Sequence, residues 1–225
     1  MSVKIFYDLM SQPARTLVMF VRANKIPHTP CPIAMRKLEH QSEEYAKINP
    51  FKKIPAMQDG DFNLTESASI IRYLHEKFDC ADHWYPRSLQ QRARVNEYVD
   101  WQHTSIRPHM TKLFLRDVIF PRMTGTPADP ADLAPDVEKM EHTLDQFESY
   151  FLQDKPFVCG DEISIADLFA VNEVIQVEPT GYDTLEKRPR IKNWVGRVRE
   201  TLTPELYDDV TKMIIKLKEL KKSKL

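Results

Sequence analysis

The apolar residues change their spacing near residue 80, and the change divides the chain into two parts. Before it, extended stretches that alternate or are rich in proline predict four strands, at 3–8, 28–34, 54–58 and 62–65. Apolar residues spaced by three and four predict helices at 13–24, 42–48 and 66–78. The predicted order is therefore a βαβ unit, a short helix and a ββα unit.

From Ser88 onward the helical spacing continues alone. The first helix of this part is expected to begin at Ser88, where Gln91 completes a capping box, and to run to about Asp117. Pro108 is expected either to bend this helix or to mark a change of its axis. A loop is expected at 121–135. The remaining helices are predicted to cover 135–151, 164–174, 188–199 and 206–220, and Ser164 with Asp167 forms a second capping box.

The two patterns together predict an α/β plus all-α protein. We assign residues 1–79 to the α/β domain, 80–87 to a linker and 88–225 to an all-helical domain. In the linker, Trp84 and Tyr85 are expected to dock on one of the two domains. A chain of 225 residues is long enough to give both parts a hydrophobic core.

Composition narrows the function classes. The formal net charge of -1 gives no general attraction to nucleic acid or to a membrane surface, so neither is expected as a partner. The 3 cysteines lie far apart and the 7 histidines show no metal-ligand spacing, so we expect a reducing compartment and no metal site. No apolar run approaches the roughly 20 residues of a membrane span, and no signal peptide precedes the first strand.

Ser11 lies at the turn between the first predicted strand and the first predicted helix. Pro13 follows in the first turn of that helix, where its missing N–H costs nothing. The Ser11 hydroxyl would then lie beside unsatisfied backbone N–H groups and the positive end of the helix dipole, where an anion such as a thiolate is stabilised. Serine is a preferred N-cap in any helix, so a capping role alone is the alternative.

The order of elements, with a proline at the start of the third strand, resembles a thioredoxin-like domain. Ser11-Gln12-Pro13-Ala14 stands where its redox members carry Cys-x-x-Cys, so dithiol chemistry is not expected. Joined to an all-helical domain, the whole chain resembles a cytosolic glutathione transferase. The segments 49–55 and 66–74 resemble the superfamily, and Ser11 together with the segment from Trp101 to Arg107 resembles its theta class.

The resemblance implies roles for individual residues. The Ser11 hydroxyl would donate to the sulfur of glutathione, and Arg107 would add a positive charge near the sulfur or the leaving group. The alternative for Arg107 is a salt bridge within the helical domain, and Lys52 is an alternative to its neighbour Lys53. Glutathione would be bound through a cis peptide bond before Pro55 and through His40, Gln41, Lys53, Ile54, Pro55, Glu66, Ser67 and Thr104. The electrophile is expected between the domains, at Met10, Met110 and Phe114.

These residues predict an enzyme of detoxification that conjugates glutathione to small hydrophobic electrophiles, with glutathione-dependent peroxide reduction as a side activity. Glutathione is the co-substrate, and no cofactor is expected. The alternative is a non-catalytic ligand carrier or interaction module of the same fold; a cysteine-dependent thiol transferase is disfavoured because Ser11 cannot form a mixed disulfide. The resemblance implies a cytoplasmic homodimer. Ser223-Lys224-Leu225, if accessible, adds a peroxisomal fraction.

Overall fold

The computed structural model describes residues 2–222, with side chains as far as residue 220. Its strands are β1 Val3–Tyr7, β2 His28–Pro32, β3 Ala56–Asp59 and β4 Phe62–Leu64. They form one sheet in the order β2-β1-β3-β4. The expected peroxisomal address, Ser223-Lys224-Leu225, lies outside the described residues.

The connections between the strands explain why the sheet is mixed. Helix α1, Gln12–Ala23, crosses between β1 and β2 and makes them parallel, whereas β3 is antiparallel to both β1 and β4. The helices α2, Glu43–Ala46, and α3, Ser67–Lys77, complete this part. Val3 and Ile5 of β1 are buried in one core with residues of α1. The predicted βαβ-α-ββα order is confirmed.

The rest of the described chain is helical. A short 3₁₀ helix, Asp82–Trp84, precedes α4 Leu89–Thr104, α5 Ile106–Phe114, α6 Phe120–Thr124, α7 Pro130–Gln146, α8 Ile165–Val174, α9 Pro189–Leu202 and α10 Pro204–Lys222. Stretches of π-helix at Leu115–Ile119 and Phe147–Leu152 extend α5 and α7. Every residue of α8 is buried, so this helix forms the centre of the helical part.

Three details of the helical part differ from the sequence prediction. The first helix ends at Thr104 and α5 begins at Ile106, so Pro108 lies in the first turn of a new helix, where proline is tolerated. Ser88 is the N-cap of α4 but its side chain makes no capping hydrogen bond, so the predicted capping box is wrong there. The expected loop at 121–135 contains α6, and α7 begins at Pro130 because the Asp129 carboxylate caps it.

The capping box that opens α8 is confirmed. The Ser164 hydroxyl accepts from the Ala166 N–H at 3.2 Å, and the Asp167 carboxylate accepts from the Ser164 N–H at 2.9 Å. Trp194 of α9 also donates to Asp167, at 2.9 Å. These bonds fix the start of α8, and α8 packs against α1 of the α/β part.

Candidate active site

Ser11 is the N-cap of α1. Its φ of -85° and ψ of 124° are extended, and its hydroxyl oxygen accepts from the Ala14 N–H at 3.4 Å. The side chain is largely buried, with 9% of its residue surface exposed. The local sequence explains the geometry, because Pro13 suits the first turn and Leu17 and Phe20 are buried on the inner face of the helix.

A cavity of about 480 Å³ lies next to this turn. The α/β part contributes residues from the first turn of α1, from the segment between α2 and β3, and from the start of α3. The helical part contributes one residue on each side of the break between α4 and α5. The lining residues are Pro13, Asn49, Phe51, Lys53, Ile54, Pro55, Thr65, Glu66, Ser67, His103 and Arg107. The structure therefore brings together six of the predicted residues: Lys53, Ile54, Pro55, Glu66, Ser67 and Arg107.

The two neighbouring lysines have different surroundings. Lys52 donates from Nζ to the Gln41 carbonyl at 3.0 Å and to the Glu43 carboxylate at 2.6 Å. This hydrogen bond from Lys52 lowers the pKa of Glu43. Lys53 is exposed and lines the cavity. Of the two alternatives, Lys53 is therefore the lysine that faces the site.

The start of α3 forms a second wall of the cavity. Glu66 has a φ of 63° and precedes the first helical residue, Ser67, which is buried. A helix start presents N–H groups that favour an anion such as a carboxylate. On the adjoining wall, the peptide bond between Ile54 and Pro55 is cis, as predicted.

Arg107 lines the cavity and is also tied to the helical part. Its Nε donates to the Glu173 carboxylate at 2.8 Å, and its Nη1 lies 3.4 Å from His103 Nδ1. Glu173 is fully buried, and burial raises the pKa of its carboxyl, although the nearby guanidinium of Arg107 opposes this rise. The salt bridge considered for Arg107 from the sequence is present, and the same side chain faces the site.

The other predicted residues are not among those that line this cavity. His40 and Gln41 lie in a short 3₁₀ helix, and His40 Nδ1 is buried with no hydrogen-bond partner. Thr104 is exposed and donates to the Trp101 carbonyl at 3.4 Å. Of the residues expected at the electrophile, Met10 is half-buried, whereas two are buried in the core: Met110 and Phe114.

Sequence reasoning missed three residues that the structure places at the site. His103 lines the cavity four positions before Arg107, and this spacing was the signal that could have found it. Burial, followed by the positive charge of Arg107, lowers the pKa of His103. Gln12 and Glu173 lie behind the cavity and bond to each other at 3.2 Å. An acid within the otherwise mostly apolar second half of α8 was the signal for Glu173.

The chain's own thiols are poor candidates for the reactive group. Cys31, Cys80 and Cys159 are all free. Burial raises the pKa of Cys80 to about 11 and that of Cys159 to about 12, which leaves little thiolate at neutral pH. Within residues 2–222, no group of three or more His, Cys, Asp or Glu side chains could hold a metal ion. No helix in the same range is long and apolar enough to cross a membrane.

Comparison with known proteins gives matches over both parts of the chain. The model of the glutathione S-transferase N-terminal domain matches residues 1–76, and that of the C-terminal domain matches 110–201. Human glutathione S-transferase theta-1 is 39% identical over 97% of this chain and 91% of its own length. Human glutathione S-transferase theta-2 is 37% identical over 97% of this chain and 89% of its own.

Solved structures give the same result. The apo form of human glutathione-S-transferase T1-1 superposes with a TM-score of 0.93 at 38% identity, covering 97% of this chain and 91% of that one. Human glutathione transferase theta-2, in complex with glutathione and an unknown ligand, superposes with a TM-score of 0.92 at 36% identity. The match covers 99% of this chain and 91% of that one. The chain therefore belongs to the theta class of the glutathione S-transferase family: it is a glutathione transferase, and glutathione is its co-substrate.

Proposed function

We propose that the Ser11 hydroxyl donates a hydrogen bond to the sulfur of bound glutathione and keeps that sulfur as a thiolate. The position of Ser11 carries the proposal: it caps α1 and lies two residues before Pro13, which lines the cavity. An anion there is beside the unsatisfied N–H groups and the positive end of the helix dipole. Ser11 donates without losing its proton, so it is not a covalent nucleophile.

The hydrogen bond and the helix terminus supply enough free energy to lower the pKa of the glutathione thiol. A free cysteine thiol has a pKa of about 8.5, so lowering it to about 7 requires roughly 2 kcal/mol of preferential stabilisation of the thiolate. A hydrogen bond to a charged group contributes about 1.5–3 kcal/mol. The helix terminus adds about 0.3–1 kcal/mol. The hydroxyl and the helix together therefore suffice.

The remaining residues of the cavity are proposed to orient the tripeptide. The Ile54 backbone pairs with its cysteinyl part, the start of α3 at Glu66 and Ser67 takes the γ-glutamyl end, and Lys53 takes the glycyl carboxylate. These roles are supported by the fact that Lys53, Ile54, Glu66 and Ser67 all line one cavity. His40, Gln41 and Thr104, which lie outside that lining, are proposed as outer contacts of the same ligand.

Arg107 is proposed to face the sulfur or the leaving group of the electrophile. Its carboxylate partner Glu173 leaves the guanidinium at the cavity wall. The electrophile would enter beside Met10, with Met110 and Phe114 behind it, and it is expected to be small and hydrophobic. A human theta-class structure that superposes on this chain with a TM-score of 0.92 holds the glutathione conjugate of 1-menaphthyl sulfate. Peroxide reduction by the same thiolate is the proposed side activity.

The test is the turnover of Ser11→Ala with an alkyl halide and with a hydroperoxide. We expect turnover to fall at least about tenfold with both, because loss of a hydrogen bond to the thiolate removes about 1.5–3 kcal/mol of stabilisation. Ser42→Ala is the matched control, since Ser42 caps α2 and its hydroxyl accepts from the Tyr45 N–H at 3.1 Å. Turnover of Ser11→Ala equal to that of Ser42→Ala would remove Ser11 from the mechanism.

A non-catalytic carrier of the same fold is the second candidate function. A carrier also needs a cavity for glutathione, so the cavity by itself is compatible with both functions. Binding and turnover measured on the wild-type protein distinguish the two functions, because a carrier would bind glutathione but show no turnover. The enzyme is favoured because Arg107 lines the cavity and Ser11 lies two residues before Pro13, which also lines it.

We also propose that the chain acts as a homodimer in the cytoplasm. The dimer is supported by apolar side chains that the single chain leaves exposed, among them Phe51 at 68% and Phe62 at 48%. The division into an α/β domain at 1–79, a linker at 80–87 and a helical domain at 88–225 is likewise a proposal.

A further inference from the structure

The carboxylate of Glu173 lies at the centre of a buried polar cluster between α1, α5 and α8. The side chain is fully buried, and its two oxygens accept hydrogen bonds from different helices. Arg107 Nε of α5 donates to Oε1 at 2.8 Å, and Gln12 Nε2 of α1 donates to Oε2 at 3.2 Å. One side chain therefore contacts both the residue next to Ser11 and the proposed cation of the site.

Further bonds hold the turn that carries Ser11. Gln12 Nε2 also donates to the Thr111 hydroxyl of α5 at 2.8 Å. Arg15, one turn along α1, is fully buried and donates from Nη1 to the Leu9 carbonyl at 2.9 Å. The backbone on both sides of Ser11 is thus attached to side chains that belong to the cluster around Glu173.

Helix α8 carries a second buried carboxylate, that of Asp167, and the two acids have different partners. Asp167 accepts from the Val158 and Ser164 N–H groups and from Trp194, all within the helical part. Those bonds account for Asp167 by the structure of the helical part alone. Burying an acid costs free energy that an apolar side chain would avoid, so the stability of α8 does not account for Glu173.

We infer that Glu173 is a positioning residue: its carboxylate fixes the Ser11 turn and the Arg107 guanidinium in one geometry, in which both face the sulfur of glutathione. The inference rests on the roles proposed above for Ser11 and Arg107. Charged and titratable groups from three helices interact electrostatically with the carboxylate: Arg107 from α5, Arg15 from α1 and the Tyr98 hydroxyl from α4.

Two substitutions of Glu173 separate the effect of its hydrogen-bonded contacts from the effect of its negative charge. Glu173→Gln removes the charge but keeps the shape and a carbonyl oxygen for Arg107, whereas Glu173→Ala removes every contact. The ultraviolet absorbance of the thiolate in bound glutathione is titrated against pH, with S-methylglutathione as the blank. The alanine variant is expected to move the titration midpoint to higher pH and to lower kcat at least about tenfold, and the glutamine variant to keep kcat within about threefold.

Asp136→Ala is the matched control. Asp136 is a buried carboxylate that pairs with Lys112 and Arg116, and α5 carries Lys112 as well as Arg107. This variant is expected to lose stability in a thermal melt yet keep the wild-type midpoint and kcat. If Glu173→Ala does not fold, Gln12→Ala removes the hydrogen bond between Gln12 and Glu173 without leaving a buried cation unpaired. The midpoint of the thiolate titration is then expected to rise in Gln12→Ala.

Three results would overturn the inference. The first is a wild-type midpoint and kcat in Glu173→Ala, or in Gln12→Ala if the alanine variant at 173 does not fold. The second is a loss of kcat in Glu173→Gln as large as that in Glu173→Ala. The third is a shift of the midpoint in Asp136→Ala equal to that in Glu173→Ala. Ser11→Ala measured in the same titration keeps the two hypotheses apart. An unchanged midpoint in Ser11→Ala would contradict the proposed function of Ser11 itself, whereas a raised midpoint in Ser11→Ala beside an unchanged one in Glu173→Ala would contradict the role of Glu173 alone.

Discussion

At the scale of single residues, Lys52 and Lys53 show how adjacent, identical side chains acquire different surroundings. The carbonyl of Lys53 accepts from the Tyr45 hydroxyl at 2.8 Å and from Asn49 Nδ2 at 2.6 Å. These bonds fix the backbone where the chain enters β3, so that the Lys53 side chain faces the cavity while that of Lys52 turns back to Glu43. Sequence alone could not separate the two.

We therefore expect Lys53→Ala to raise the KM for glutathione about tenfold and to leave kcat close to wild type. The reason is that a hydrogen bond to a charged carboxylate contributes about 1.5–3 kcal/mol, and each 1.4 kcal/mol is about tenfold in affinity. Lys52→Ala is the control and should change KM less than about twofold. Steady-state kinetics at varied glutathione measure both, and a larger effect from Lys52 would assign the glycyl carboxylate to that residue instead.

At the scale of elements, one buried acid of α7 forms ion pairs with the cations on α5 and just after it. Asp136 of α7 is 3% exposed and receives hydrogen bonds from Lys112 and Arg116. Burial opposes its charge, but these two cations outweigh burial and lower the pKa of Asp136. A carboxyl with a lowered pKa in the folded state stabilises that state above the pKa of the unfolded chain, and the stabilisation is lost as the pH falls.

Asp136→Asn should accordingly lower the free energy of unfolding by about 2 kcal/mol at pH 7, since it removes hydrogen bonds to charged groups. Below a pH of about 4, where the unfolded carboxyl takes up a proton, the difference between the variant and the wild type should shrink. Urea unfolding at several pH values gives both quantities. A difference that stays constant down to acid pH would mean that Asp136 contributes through packing and not through its charge.

The elements also show what the sequence could predict and what it could not. Helix α1 and the α8 capping box were predictable because their signals lie within a few residues of each other, and the same holds for the motif around Pro55. Ser88 carries the same kind of signal but makes no capping hydrogen bond, because a local pattern does not fix the side-chain geometry. The bond between Gln12 and Glu173 joins residues 161 positions apart, and no local pattern encodes it.

At the scale of the whole molecule, the site depends on how the two parts of the chain are joined. The cavity takes most of its lining residues from the α/β part, and Arg107 and His103 from the helical part. Burial lowers the pKa of Arg15 to about 10, so this residue still carries its charge at neutral pH. It donates to Asn172 and Gln176 near the end of α8, at 2.8 Å and 2.6 Å. The interface between α1 and α8 therefore sets the relative position of Ser11 and Arg107.

The proposed homodimer is tested by the exposed ring of Phe51, which lies at the rim of the cavity and is 68% exposed. Burying a phenylalanine side chain is worth about 1.5–3 kcal/mol, so Phe51→Asp should raise the dissociation constant of the dimer at least about tenfold. Sedimentation velocity over a dilution series measures that constant. Met123 of α6 is 77% exposed, and Met123→Asp is the matched control that should leave the dimer intact. A wild-type chain that sediments as a monomer at every concentration would exclude the dimer, and dissociation by Met123→Asp alone would place the interface on the helical part.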